Sequence, residues 1–194
     1  MRYRNGGRSK VCVSAMTKSE IQQQLHDNHF RFIKHIVYLS DLDFLHSNNG
    51  KWTAGQQLEH LVKSVRPVNL ALLLPSFFLT LVFGKANRPS KSYEALVEKY
   101  KQKLTAGGKA SAPFVPKSVT ISDREKLSNK LHSLTNSLLR RVDSFSEKQL
   151  DTFILPHPLL GKLTLREMLY FTIYHVEHHE KQTLQNLAIS NIQA

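Results

Sequence analysis

Four times in this chain a serine or threonine stands three residues before a glutamate or glutamine, just ahead of a long amphipathic run. The pairs are Thr17…Glu20, Thr53…Gln56, Ser122…Glu125 and Thr164…Glu167. In such a capping box the hydroxyl takes an unpaired N–H of the first helical turn. The later side chain reaches back to the backbone N–H of the capping residue. Each box heads about 20 residues whose apolar positions recur three and four apart, the period of a helix with one buried face. Four long helices of this kind predict an all-α fold, a four-helix bundle. No alternating pattern is long enough to build a sheet, and no internal repeat is present.

The first helix is expected over residues 18–39, with Ile21, Leu25, Phe32, Ile36 and Leu39 facing inward. The second starts at Ala54 and turns Leu58, Leu61, Val62, Val65 and Val68 to one side; Pro67 should bend it or end its regular part. The third is expected over 123–142, on Leu127, Leu131, Leu134, Leu138 and Val142. The fourth is expected over 165–187, on Leu165, Met168, Leu169, Thr172, Val176 and Leu187. Between the second and third lies a long crossover. It carries a short extra helix over 93–104 and then a Gly/Ala/Pro-rich stretch, 107–116.

A chain of 194 residues with 41% apolar and 22% charged residues has room for one ordinary hydrophobic core. Its single cysteine, Cys12, excludes an intrachain disulfide and a cysteine-rich zinc module, and suits a reducing cytoplasm. The net charge of +12 is unevenly placed. Residues 1–18 carry +5 and residues 84–118 carry +6, which leaves +1 for all the rest. That is a basic tail and one basic segment rather than a nucleic-acid-binding face. Residues 1–15 lack periodicity and are expected to be a disordered basic tail before a domain spanning 16–190. Deleting them should leave the thermal midpoint within a couple of degrees.

The most apolar stretch, 70–83, is shorter than the ~20 residues of a spanning helix and is broken by Pro75. It reads as a buried helix end or a pocket wall, with a membrane-dipping segment or a subunit interface as the alternative. The second alternative implies a homodimer.

Among ten histidines, His175 and His179 are four apart in the fourth helix, one turn from each other on one face. Two imidazoles so spaced can share a metal ion. On a helical wheel both lie at the edge of the apolar stripe, whereas His178 falls further round, towards solvent. His60, at the apolar edge of the second helix, is the best third ligand. Three hydrogen-bonded helix histidines without a metal are the alternative on spacing alone. His26, His29, His35, His46 and His132 read as surface residues, and His157, between two prolines, as an exposed turn.

Competing chemistries fail on particular residues. A zincin needs Glu after its first histidine, and Val176 stands there. A zinc deaminase needs paired cysteines. A di-iron bundle needs Glu three before each histidine, and the positions hold Gln57, Thr172 and Val176. No phosphate-cradling glycine loop and no G-x-S-x-G elbow is present.

The segment Gly50-Lys51-Trp52-Thr53, leading to Glu59-His60-Leu61, resembles the start of the second helix in DinB-like (YfiT-like) proteins. There a tryptophan opens the helix and a metal-binding histidine closes its second turn. The run from His157 to Thr164, followed by His175-x-x-x-His179-x-x-Gln182, is similar to that family's last loop and helix. The likeness spans about residues 17–187. It implies a four-helix bundle with one divalent metal, zinc or nickel, on His60, His175 and His179. It also implies a transferase or isomerase working with a low-molecular-weight thiol, or a hydrolase. Glu180-Lys181 departs from the Arg-Gly often found before the glutamine.

Two classes of function follow. In the first, three neutral imidazoles leave the ion's charge and open positions free to activate a thiol or, second, water, on a small-molecule substrate. The basic crossover would attract an anionic thiol cosubstrate. No general base is identifiable, so the catalytic residues are unknown; Glu177 is at most an outer partner. In the second, the metal is structural and the protein binds a partner. Nucleic-acid binding has only the tail and the crossover behind it.

Overall fold

The computed structural model describes residues 15–193. Of the segment read as a tail, residues 1–14 lie outside them. The four long helices are α1 (Lys18–Tyr38), α3 (Ala54–Ala71), α6 (Asp123–Asp143) and α8 (Leu165–Gln193). Between them come α2 (Asp41–Leu45), α4 (Ser76–Phe83), α5 (Tyr93–Thr105), a single 3₁₀ turn at Ala112–Phe114, and α7 (Glu147–Thr152). Around the bundle the order of neighbours is α1, α6, α3, α8, and back to α1.

Three of the expected capping boxes form. Thr17 with Glu20 and Thr53 with Gln56 close both bonds. At α8 the Glu167 N–H donates to Thr164 Oγ1 (3.1 Å) and the Thr164 N–H to Glu167 Oε2 (3.0 Å). The fourth is displaced. Ser122 already has helical backbone angles and makes no cap bond; Thr120 instead sends its N–H (3.0 Å) and its hydroxyl (2.8 Å) to Asp123. A further box, Ser146 with Gln149, starts α7, whose six residues are too few to show a helical period.

The inward faces are those the periodicity marks. Ile21, Leu25, Phe32 and Ile36 of α1 are fully buried, and so are Leu58, Leu131, Leu138, Val142, Leu165, Leu169 and Val176. α3 runs through Pro67 to Ala71 rather than stopping there. The sharp change of direction comes later, where the axes of α3 and α4 differ by 109°. His29 is buried, not exposed, and its Nδ1–H donates to the Leu25 carbonyl (2.8 Å).

The linker before α8 is not a plain loop. β1 (Ile154–His157) and β2 (Gly161–Thr164) pair antiparallel, with Ile154 opposite Thr164 and His157 opposite Gly161. Two four-residue strands, the first holding Pro156, are too short to show alternation. Gly161 takes φ +78°, a left-handed conformation that suits glycine as the chain re-enters the ladder. The hairpin runs straight into the Thr164 cap, so it sets where α8 begins.

The 70–83 stretch differs most from its expected burial. Leu72 and Leu79 are buried, but Leu73, Phe77, Leu81 and Val82 are 57%, 64%, 76% and 59% exposed. It is an apolar surface, not a pocket wall. Among the described residues no single helix is long and apolar enough to cross a membrane.

Candidate metal centre

The Thr53 box starts α3 so that Gln57 and His60, three apart, share one face; the hairpin and the Thr164 box start α8 so that His175 and His179 face them. His60, His175 and His179 are all buried. His60 Nε2 lies 3.2 Å from His175 Nε2, and His179 Nε2 lies 3.0 Å from the same atom. The structure thus brings together the three histidines marked from spacing, across 115 residues of chain between His60 and His175.

The opposite edges of two rings are anchored. His60 Nδ1–H donates to the Phe114 carbonyl (2.7 Å), and His179 Nδ1–H donates to Gln57 Oε1. Those bonds put the ring protons on Nδ1 and leave Nε2 of each ring as a bare lone pair. Gln57 Nε2 donates in turn to Gln182 Oε1 (3.4 Å). The segment after Phe114 is tied back to α3: Lys63 Nζ donates to the Val115 carbonyl (2.8 Å), and the Lys117 N–H donates to Glu59. Gln57 and the 3₁₀ turn were not legible as parts of the site. Gln57 lay on the right face three before His60, but Phe114 reaches the site only through the crossover.

Burial, opposed in part by the Phe114 bond, lowers the pKa of His60. Burial and then the neighbouring imidazoles push His175 and His179 well below the usual histidine value. All three are therefore neutral at pH 7, the form that can bind a metal. Trp52 walls the cluster, its ring 4.9 Å from that of His60 and 6.3 Å from that of His179.

The cluster opens on a cleft of about 730 Å³. Lys51 and Lys109 line it, and among the described residues no Asp or Glu does. Three cations of the basic crossover are committed elsewhere. Arg88 pairs with buried Glu167 at 2.6 and 2.8 Å, Lys91 Nζ reaches the same carboxylate at 3.4 Å, and Lys99 Nζ donates to the Leu160 carbonyl (2.9 Å). Of the eight lysines and arginines of 84–118, Lys109 alone lines the cleft.

Two histidines sit differently from their sequence reading. His178 is half-buried at the cleft wall, with its ring 5.9 Å from that of Tyr100, rather than turned to solvent. It is not one of the three converging residues. His157 also lines the cleft, with its ring 4.2 Å from that of Phe171. Helical phase alone could not place a cleft wall supplied by α5 and the hairpin.

A profile of the DinB superfamily matches residues 18–183. The chain belongs to the DinB superfamily. The matched span runs from the start of α1 into α8 and contains all three clustered histidines and Gln182. No curated protein matches the chain significantly.

The donor set of this DinB-superfamily chain fits a divalent ion. A tetrahedral ion with metal–nitrogen bonds of about 2.0–2.1 Å spaces its nitrogens about 3.3 Å apart, close to the spacing here. Two bare lone pairs aimed at a third imidazole nitrogen repel one another unless a cation or a proton lies between them. The outer bonds of His60 and His179 are those that fix ring orientation in metal sites.

Proposed function

We propose that His60, His175 and His179 bind one divalent ion, zinc or nickel, and that the protein is a transferase that activates a low-molecular-weight thiol beside it. The observation that carries this reading is the convergence of three buried, neutral imidazole nitrogens at the floor of an open cleft. A divalent ion there supplies a Lewis acid that lowers the pKa of a bound thiol or, second, of water. The chain's own residues orient and select. Gln57 and the Phe114 carbonyl hold two rings in the ligating tautomer, Trp52 keeps water from one side, and Lys51 and Lys109 favour an anionic cosubstrate. Residues 16–190 form the working domain, and the cytoplasm suits a chain whose single thiol is Cys12.

The test is metal analysis of untagged protein followed by a screen of small thiols against alkylating electrophiles. One ion per chain and thiol consumption that His175→Ala abolishes are expected. A metal-loaded protein inert towards every thiol and towards hydrolysable esters would instead favour an interaction protein with a structural metal.

That second reading draws on the apolar surface of α4. We propose that this surface pairs two copies of the chain, as large exposed apolar patches mark contacts. Sedimentation at high micromolar concentration should give a dimer, converted to monomer by Phe77→Glu with Leu81→Glu. A monomeric wild type removes the proposal.

A further inference from the structure

His157 is the one cleft-lining histidine on the hairpin. Its Nδ1 accepts two backbone hydrogen bonds from its own turn, from the N–H of Leu159 (3.1 Å) and of Leu160 (3.2 Å). An atom that accepts two N–H bonds carries no proton. The ring proton of the neutral imidazole therefore sits on Nε2, on the edge away from the turn. This is the opposite tautomer from His60 and His179, whose Nδ1 atoms donate. Burial, and then the nearby Lys99 charge, push the His157 pKa down to about 4, so the ring stays a neutral donor at physiological pH.

The position relative to the cluster is set by Phe171. Its ring lies 4.2 Å from that of His157 and 4.7 Å from that of His175, with which it is stacked. The His157 and His175 ring centres are thus no more than about 8.9 Å apart. That span suits a small molecule with one end at the three-imidazole cluster and the other at His157. The cleft that both line offers cations and neutral donors and, among the described residues, no carboxylate.

We infer that His157 is a substrate-binding residue, its Nε2–H donating to a carboxylate oxygen of a thiol whose sulfur lies at the three-histidine cluster. The inference rests on the proposed metal reading and deepens it: the thiol is a mercaptocarboxylate rather than a plain alkyl thiol. Two kinds of group share the recognition. Lys51 and Lys109 supply long-range attraction, and His157 supplies a directed bond that a salt-screened charge cannot replace.

The test uses the full chain loaded with cobalt(II), whose visible absorption reports both metal uptake and thiol ligation. It is titrated with mercaptoacetate and with ethanethiol, which lacks the carboxylate. His157→Asn places Oδ1 where Nδ1 was, so the turn keeps its acceptor while the far donor is lost. His157→Gln extends an amide N–H towards the cleft. Wild type should prefer mercaptoacetate. His157→Asn should bind mercaptoacetate about tenfold more weakly, the size of one lost hydrogen bond to a charged group, with ethanethiol and cobalt binding unchanged. His157→Gln should recover part of the preference. Cobalt uptake with an unaltered mercaptoacetate preference in His157→Asn overturns the inference alone. Equal loss of both thiols also overturns it, because it assigns His157 to the shape of the hairpin. Absence of cobalt uptake by the wild type overturns the metal reading, and this inference with it.

Discussion

Replacing His60, His175 or His179 with alanine lowers affinity for a divalent ion by more than about 100-fold, since loss of an outer partner alone costs about 10–100-fold. His178→Ala leaves it almost unchanged, because that ring stands at the cleft wall outside the converging three. Gln57→Leu falls between, as it frees the His179 ring to rotate while all three ligands remain. Metal titration with a competing chelator measures all five variants. The pH dependence has a definite sign. Protons compete with the metal for Nε2, and an unperturbed imidazole would begin to lose that competition near pH 6.5. Here burial lowers all three values, so affinity should hold through pH 6.5 and fall only in more acidic solution. Circular dichroism should show the bundle intact in each alanine variant, since its core is made by the aliphatic faces. Binding abolished by His178→Ala but retained by His175→Ala would refute the assignment.

The largest effect on stability is expected at Glu167, whose side chain is fully buried. It accepts both Arg88 bonds, the Lys91 N–H (2.8 Å) and the Thr164 N–H (3.0 Å). One carboxylate therefore ties the crossover to the start of α8 and closes that helix's cap. Burial would raise its pKa, but the Arg88 bonds and then the two backbone N–H groups outweigh burial and hold it down to about 2. Because the folded value lies below the unfolded one, this contribution is present above about pH 4.5 and is lost as the pH falls through about 2. Glu167→Ala takes the carboxylate from two cations, Arg88 and Lys91, and from two backbone N–H donors, and should cost about 3–5 kcal/mol in denaturant unfolding, as for other broken buried pairs. Glu167→Gln, which still accepts from Thr164, should cost less and flatten the acid limb of the stability profile. A loss below about 1 kcal/mol for alanine would mean that water replaces the carboxylate.

How much of this was legible in the sequence depends on the range of the interaction concerned. Capping boxes are local, and three of four stand where the letters put them. The Ser122 box fails because Thr120 and Asp123 make the same spacing two residues earlier, with a shorter carboxylate. The converging histidines were legible because helical phase converts sequence spacing into a shared face. His157, His178 and Gln57 were misplaced or missed because what they face is supplied by other elements. His29 lies four after Leu25 and three before Phe32, on the inward stripe of α1, so helical phase did mark it as buried and its reading as a surface residue overlooked that phase. The charge of 84–118 was visible, but Glu167, which pairs with Arg88 and Lys91, lies some 80 residues away, so those two cations could not be told from the unpaired charge around them.

His175 and His179 sit on one helix, four residues apart, while His60 comes from 115 residues before His175. In an unfolded chain the first two still travel together and can hold an ion weakly; the third joins them only when α3 docks on α8. A metal that binds native and unfolded chains stabilises the fold only by the difference in affinity between them. That difference is the contribution of the third imidazole and of the pre-aligned rings. Each tenfold it adds becomes about 1.4 kcal/mol of resistance to unfolding once metal is saturating. Ligand spacing along the chain thus makes His60 the residue through which metal supply would govern how long the folded protein persists.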